Sequence, residues 1–133
     1  MSVGHEYDVQ YAPGLDRFVV LGSTDRHGFV TLLDTAGNSV ASIDRLPRAV
    51  GESQIVLSPS AGEVTAVYPT VPSGVAVLRI TRGGVRLIKR IAHPHTWDYT
   101  GTAGTFTASD RVLFATLSRA GVQLIVIDGI AGQ

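Results

Sequence analysis

One short segment occurs three times in this chain of 133 residues, and the repeat limits the possible folds more than any other feature. The copies begin at Tyr11, Leu57 and Phe106, so they lie roughly 45 to 50 residues apart. In each copy two apolar runs flank a polar turn, and a third apolar run follows after a second turn. A period of this length made from short strands is typical of stacked or radial arrays of β-sheets.

Strand signals fill the chain, whereas no window of about eleven residues keeps the apolar period of an amphipathic helix. Runs such as Phe18–Leu21 are apolar on both faces, so each face needs a covering layer. We therefore predict an all-β protein. Its predicted strands are Glu6–Tyr11, Arg17–Ser23, Phe29–Asp34, Ser39–Asp44, Gln54–Leu57, Val64–Tyr68, Val75–Thr81, Val85–Ile91, Gly104–Thr107, Arg111–Leu117 and Val122–Ile127.

The length predicts a single domain, 1–133, which contains three repeat units of antiparallel strands joined by tight turns. The units cover approximately residues 5–47, 49–94 and 95–133. No fourth strand follows Val122–Ile127, so the third unit is incomplete. Either Met1–Gly4 of this chain or of another chain supplies the missing strand, or the sheet edge stays open.

Residues 11–20 and 57–63 resemble the first hairpin of β-propeller repeats, the group that includes WD40, YVTN and lactonase-type propellers. Segments 28–38 and 121–128 are similar to the third strand of such repeats, where an Asp commonly ends the strand. Segment 74–80 is closer to the lactonase-like version, which lacks that Asp. The Trp-Asp pair of WD40 repeats is missing from the third-strand ends of this sequence.

The resemblance implies three four-stranded antiparallel blades, the third of them incomplete, which together form half of a propeller. Rings in this group close with roughly six to eight blades, so three blades alone leave two apolar faces in water. We expect a homodimer to complete a six-bladed ring. The alternative is a monomeric β-sandwich or barrel whose strands happen to recur.

Composition limits the partners that the chain can have. Eleven basic and 11 acidic residues give a net charge of zero, which argues against binding nucleic acid or anionic membranes. Charged residues make up only 17%, and the mean hydropathy is +0.22, as expected for a protein that hides apolar surface in a partner. The sequence has no cysteine, and its first residues do not resemble a secretory signal, so we expect a cytoplasmic location.

The candidate ligand-binding residues come from two similar tetrapeptides, each just before the first strand of a unit. These residues are His5, Tyr7, Asp8, His95, Trp97 and Asp98. In a propeller such positions lie near the central channel, where imidazoles, carboxylates and aromatic rings suit a polar small molecule. The alternative is that the aromatic rings pack at the blade base while His and Asp bond to backbone. His93 and His95 could both contact one metal ion, but a metal site needs a third ligand.

Two functions from different classes fit these residues. The first is a non-enzymatic binding or interaction module that presents a channel mouth or loop rim to a small polar ligand or a protein. The second is a propeller enzyme of lactonase or lyase type that uses His5, Asp8, His95 and Asp98. No serine lies in a Gly-x-Ser-x-Gly motif and no phosphate-binding loop occurs, so catalytic residues and metal ligands stay unassigned and no cofactor is implied. A fragment of a larger propeller is a third possibility.

Overall fold

Every regular element in the described part of the chain is a β-strand, which confirms the all-β prediction. The computed structural model describes residues 6–51, 53–60, 62–97, 102–118 and 121–131. Its strands are β1 Glu6–Ala12, β2 Arg17–Ser23, β3 Gly28–Leu33, β4 Ser39–Leu46, β5 Val56–Leu57, β6 Val64–Pro69, β7 Ser73–Thr81, β8 Gly84–Thr96, β9 Thr102–Ala108, β10 Arg111–Ser118 and β11 Gly121–Asp128. The described residues contain no helix that could span a membrane.

The strands form three antiparallel sheets, none of which closes on itself. The first sheet has the order β1-β2-β3-β4 and the middle sheet the order β5-β6-β7-β8. The last sheet has three strands in the order β9-β10-β11, so its third strand is an edge within the described residues. Within each sheet consecutive strands are neighbours, because each tight turn brings the chain back beside the strand it has just left.

The middle sheet is covered on both faces by its two neighbours. Its front face, which includes Ala66 and Leu78, shares one apolar core with the first sheet. Its back face, which includes Val67 and Val77, shares a second core with the last sheet. Alternation along each strand sends successive side chains to opposite faces, so adjacent residues of β6 serve different cores. This arrangement explains why several strands of the sequence are apolar on both faces.

The three sheets use equivalent repeat positions for equivalent faces. Front faces, turned toward the preceding sheet, carry Val64 and Ala66 in the middle sheet and Val112 and Phe114 in the last sheet. Back faces, turned toward the following sheet, carry Val19 and Leu21 in the first sheet and Val67 in the middle sheet. Each sheet therefore contacts the next through the same pair of surfaces.

Two sheet faces at the ends of the stack remain open to solvent. The front face of the first sheet exposes 55% of Val9 and 45% of Tyr11, which lie opposite Val20 and Phe18 in the strand pairing. On the back face of the last sheet, the side chains opposite Leu113, Ala115 and Leu117 are exposed. They are Val122 (69%), Leu124 (65%) and Val126 (45%). The stack therefore has an open apolar face at each of its two ends.

Candidate functional site

The first strands of the three sheets come together along one side of the molecule. Asp8 of β1 accepts a hydrogen bond through Oδ2 from the backbone N–H of Ile55, just before β5, at 2.8 Å. Ser53 pairs with Thr102, the first residue of β9, in an isolated parallel bridge. The backbone N–H of Gln54 donates to the carbonyl of Thr102 at 3.3 Å. These bonds hold the inner strands of neighbouring sheets side by side.

A cleft of about 560 Å³ opens between these first strands. Its wall is formed by β1 with the turn that follows, by the segment around β5, and by the middle of β9. The polar side chains among its described lining residues are Gln10, Tyr11, Gln54, Ser58, Ser60 and Thr105. None of the described lining residues is charged, so the cleft offers neutral donors and acceptors together with an aromatic ring.

Tyr11 joins this cleft to the open front face of the first sheet. Its hydroxyl donates to Oδ1 of Asp16 at 2.7 Å, and this hydrogen bond raises the pKa of Tyr11 above its ordinary value. Its ring lies 5.2 Å from the ring of Phe18, centroid to centroid. With the hydroxyl held by Asp16, Tyr11 offers mainly the apolar surface of its ring.

Asp8, a predicted ligand-binding residue, is occupied by the protein itself. Besides the N–H of Ile55, its carboxylate accepts two contacts from the Gln10 amide, at 3.1 and 3.3 Å. A half-buried carboxylate that accepts three hydrogen bonds is positioned as a connector between the first and middle sheets.

Trp97, another predicted residue, is only 5% exposed and belongs to the core between the middle and last sheets. Its indole N–H donates to the carbonyl of Gly74 at 2.8 Å, and its ring meets that of Phe114 edge-on at 5.4 Å. Its ring edge also contacts His95, with the two ring centroids 5.3 Å apart. The buried indole thus packs between the middle and last sheets and does not form an open platform.

His95 lies near the end of β8, in the middle sheet, with Nε2 buried and without a hydrogen-bond partner in the described part of the chain. Its backbone N–H donates to Nδ1 of His93 at 3.1 Å. No hydrogen bond or ring contact joins His95 to Asp8. Across the described ranges, His, Asp and Glu side chains form no group of three that could hold a metal ion.

The remaining predicted residues are only partly covered by the structure. Tyr7 lies in β1 opposite Gly22, but its side chain lies outside the described residues, as do His5 and Asp98. The predicted grouping of all six residues therefore stays a prediction. Among the described ones, Asp8 and His95 lie on different sheets.

The cleft residues Gln10, Gln54 and Thr105 were not identified from the sequence. The sequence contains a weak signal for two of them. Gln10 and Thr105 each directly precede the first residue of a repeat copy, Tyr11 and Phe106. A polar residue at this position in two copies indicates a shared environment at the inner edge of the sheets.

Comparison with known proteins identifies no relative of this chain. No protein-family model, no curated protein and no solved structure matches this chain. Its function has to be argued from its own geometry.

Proposed function

We propose that this chain is a non-enzymatic binding module of the β-propeller type, completed by a second copy. In the closed ring, the cleft between the first strands lies at the central channel and binds a small neutral polar ligand or a segment of a partner protein. The observation that carries the proposal is the stack itself. Its middle sheet is covered on both faces, while one apolar face at each end is left open.

Repeat equivalence supports head-to-tail contact between copies. Phe18 and Val20, on the open front face, occupy the repeat positions of Val64 and Ala66, which are buried against a back face. Ala115, on the open back face, occupies the position of Val67, which is buried against a front face. The two open faces are therefore the two halves of a contact that the chain already makes twice.

The energetics favour covering these faces. Each Å² of apolar surface removed from water contributes about 25 cal/mol, and the exposed side chains are Val, Leu and Tyr. The described side chains of the open back face carry charge only at one end, where Arg111 and Asp128 pair at 2.6 Å. Few polar groups have to be desolvated when the two faces meet.

The mass in solution tests the proposal. Light scattering at micromolar concentration should give twice the 14.0 kDa of one chain. Val9→Asp on the front face and Leu124→Asp on the back face should each give monomers, because burying an unpaired carboxylate costs several kcal/mol. Gln123→Asp is the matched control, since Gln123 lies next to Leu124 on the opposite face of the same strand, and it should remain dimeric.

Mixing the two monomeric variants separates head-to-tail contact from other arrangements. A mixed dimer retains one unaltered contact, between the front face of the Leu124→Asp copy and the back face of the Val9→Asp copy. We expect the mixture to recover dimers that neither variant forms alone. A wild-type protein that stays monomeric, or a mixture without recovery, contradicts the proposal.

A further inference from the structure

The outer edge of β11 differs from the outer edges of the other two sheets. In the first and middle sheets a fourth strand, β4 or β8, covers the third strand. In the last sheet β11 occupies the third position, and no described strand pairs with its outer side. Alternate N–H and C=O groups along an antiparallel edge point outward, so β11 presents a row of them.

The true outer strands of the other sheets have features that discourage further pairing. β4 carries Asp44 and Arg45, the latter with a positive φ of 58°, and its pairing with β3 is interrupted by two register shifts. β8 carries three basic residues and a proline, and its pairing with β7 also has two register shifts. These residues are Arg86, Lys89, Arg90 and Pro94. Charge, proline and bulges are the usual protection of a free edge.

β11 has none of this protection before its last residue. Residues 121–127 include no charged side chain and no proline, and the pairing of β11 with β10 is regular along the whole strand. A long, regular and apolar edge of this kind is a template for another strand. Its sequence and regular pairing are therefore those of an inner strand.

The surface that faces the missing position is basic and apolar. β4 lies beside β8 in the stack, so the fourth position of the last sheet lies against the back of β8. Arg86 and Ile91 point to that side, because they lie opposite Arg79 and Val75 in the strand pairing. A cleft of about 380 Å³ is present there, with Arg79, Arg86 and Lys89 in its wall. Arg86 is exposed, whereas Arg79 pairs with Glu63 at 3.0 Å.

We propose that the outer edge of β11 binds an extended segment of another protein, which adds to the last sheet as its fourth, antiparallel strand. On the face that turns to β8, the segment carries a carboxylate toward Arg86 and, further along the same face, an apolar group toward Ile91. Backbone hydrogen bonds to β11 provide the affinity, and the charge of Arg86 selects the sequence. This inference does not depend on the ring, since within one chain no described strand pairs with the outer edge of β11.

A labelled peptide tests the inference by fluorescence anisotropy. The probe is a Glu/Val peptide of about eight residues, close to the length of an ordinary strand, in which every second residue faces β8. These inward positions carry Glu at the end near Arg86 and Val at the end near Ile91. Two control peptides and one pair of protein variants isolate the contributions. A Lys/Val peptide of the same length tests charge, and a Glu/Val peptide methylated on alternate backbone nitrogens tests the backbone hydrogen bonds. On the protein, Arg86→Glu is compared with Arg90→Glu, which lies on the opposite face of β8.

We expect the Glu/Val peptide to bind and both control peptides to fail. Arg86→Glu should weaken binding at least about tenfold, the effect of reversing one close charge, and Arg90→Glu should leave it nearly unchanged. Equal effects of the two substitutions, or binding of the methylated peptide, overturn the inference. A wild-type mass above that of a dimer, lowered by the peptide, overturns it too, because a second copy then occupies the edge.

The monomeric Val9→Asp variant separates this inference from the ring proposal. Val9 lies on the first sheet, away from β11, so this variant should bind the peptide as the wild type does. Arg86→Glu, conversely, should keep the mass of the wild type. Loss of the ring with retained peptide binding contradicts only the ring, and the reverse result contradicts only the strand addition.

Discussion

At the scale of single residues, two positions decide how the sheets stay together at their inner edge. Asp8 connects β1 to the segment before β5 through the N–H of Ile55. Gly104 of β9 allows close contact between sheets, since an added Cβ would lie 2.8 Å from the Phe114 ring and 2.9 Å from Val56. Both residues act in packing, and each leads to a prediction.

Asp8→Ala should lower the free energy of unfolding by about 1–3 kcal/mol, because it leaves the N–H of Ile55 without its acceptor. Asp8→Asn retains a carbonyl acceptor at the same place and should cost clearly less. Urea unfolding of the two variants measures the difference. If the carboxylate served mainly to bind a ligand, Asn and Ala would have the same small effect on stability.

Gly104→Ala should destabilise the protein by about 1–3 kcal/mol, since the methyl group has to displace buried side chains from two sheets. Gly83→Ala provides the control, because nothing lies within 4 Å of a Cβ at that position and its backbone does not require glycine. The control should stay within about 0.5 kcal/mol of the wild type. Thermal unfolding of the pair checks this, and equal melting temperatures would refute the packing argument.

At the scale of elements, β7 is the best covered strand and β11 the least. Residues 74–78 of β7 are buried on both faces, while five of the eight residues of β11 are exposed. We expect amide hydrogens of β6 and β7 to exchange on the order of 100-fold more slowly than those of β11. Exchange measured by mass spectrometry on the monomeric Val9→Asp variant is the test. Uniform protection would show that the stack opens as one unit.

Local patterns made most of these elements predictable. The strands of the three repeat units follow from apolar runs bounded by glycine turns, and the three described strands of the last sheet correspond to the three predicted runs of the third unit. β8 is longer than the predicted strand Val85–Ile91, because it continues through Pro94 to Thr96. Proline is tolerated there since β8 is an outer strand, and a register shift lies between Ser73 and Val75 on its partner.

The cleft could not be predicted in the same way. Its polar groups Gln10, Gln54 and Thr105 are distant in the sequence and meet only because the sheets stack with their first strands together. Trp97 was predicted as a ligand-binding residue because its tetrapeptide is similar to the one ending at Asp8. Its large ring is instead buried because two apolar sheet faces meet there. Stacking, and not local pattern, assigns such residues to core or cleft.

At the scale of the whole molecule, the proposed ring and the proposed strand addition differ in their response to salt. The ring contact uses mainly uncharged side chains, so its mass should not change between about 0.05 and 1 M salt, where the screening length falls to a few Å. Peptide binding at β11 depends on Arg86 and should weaken over the same range. Light scattering and anisotropy across one salt series measure both, and a ring that dissociates in salt would contradict the apolar contact.

The polarity of the stack has a further consequence. Two unlike surfaces that fit each other place no limit on how many subunits can follow one another, and only the rotation between successive subunits determines whether the series returns to its start. If each chain turns by half a circle, a closed pair results. A substitution that altered this rotation without weakening the contact between copies would convert the closed dimer into a growing filament.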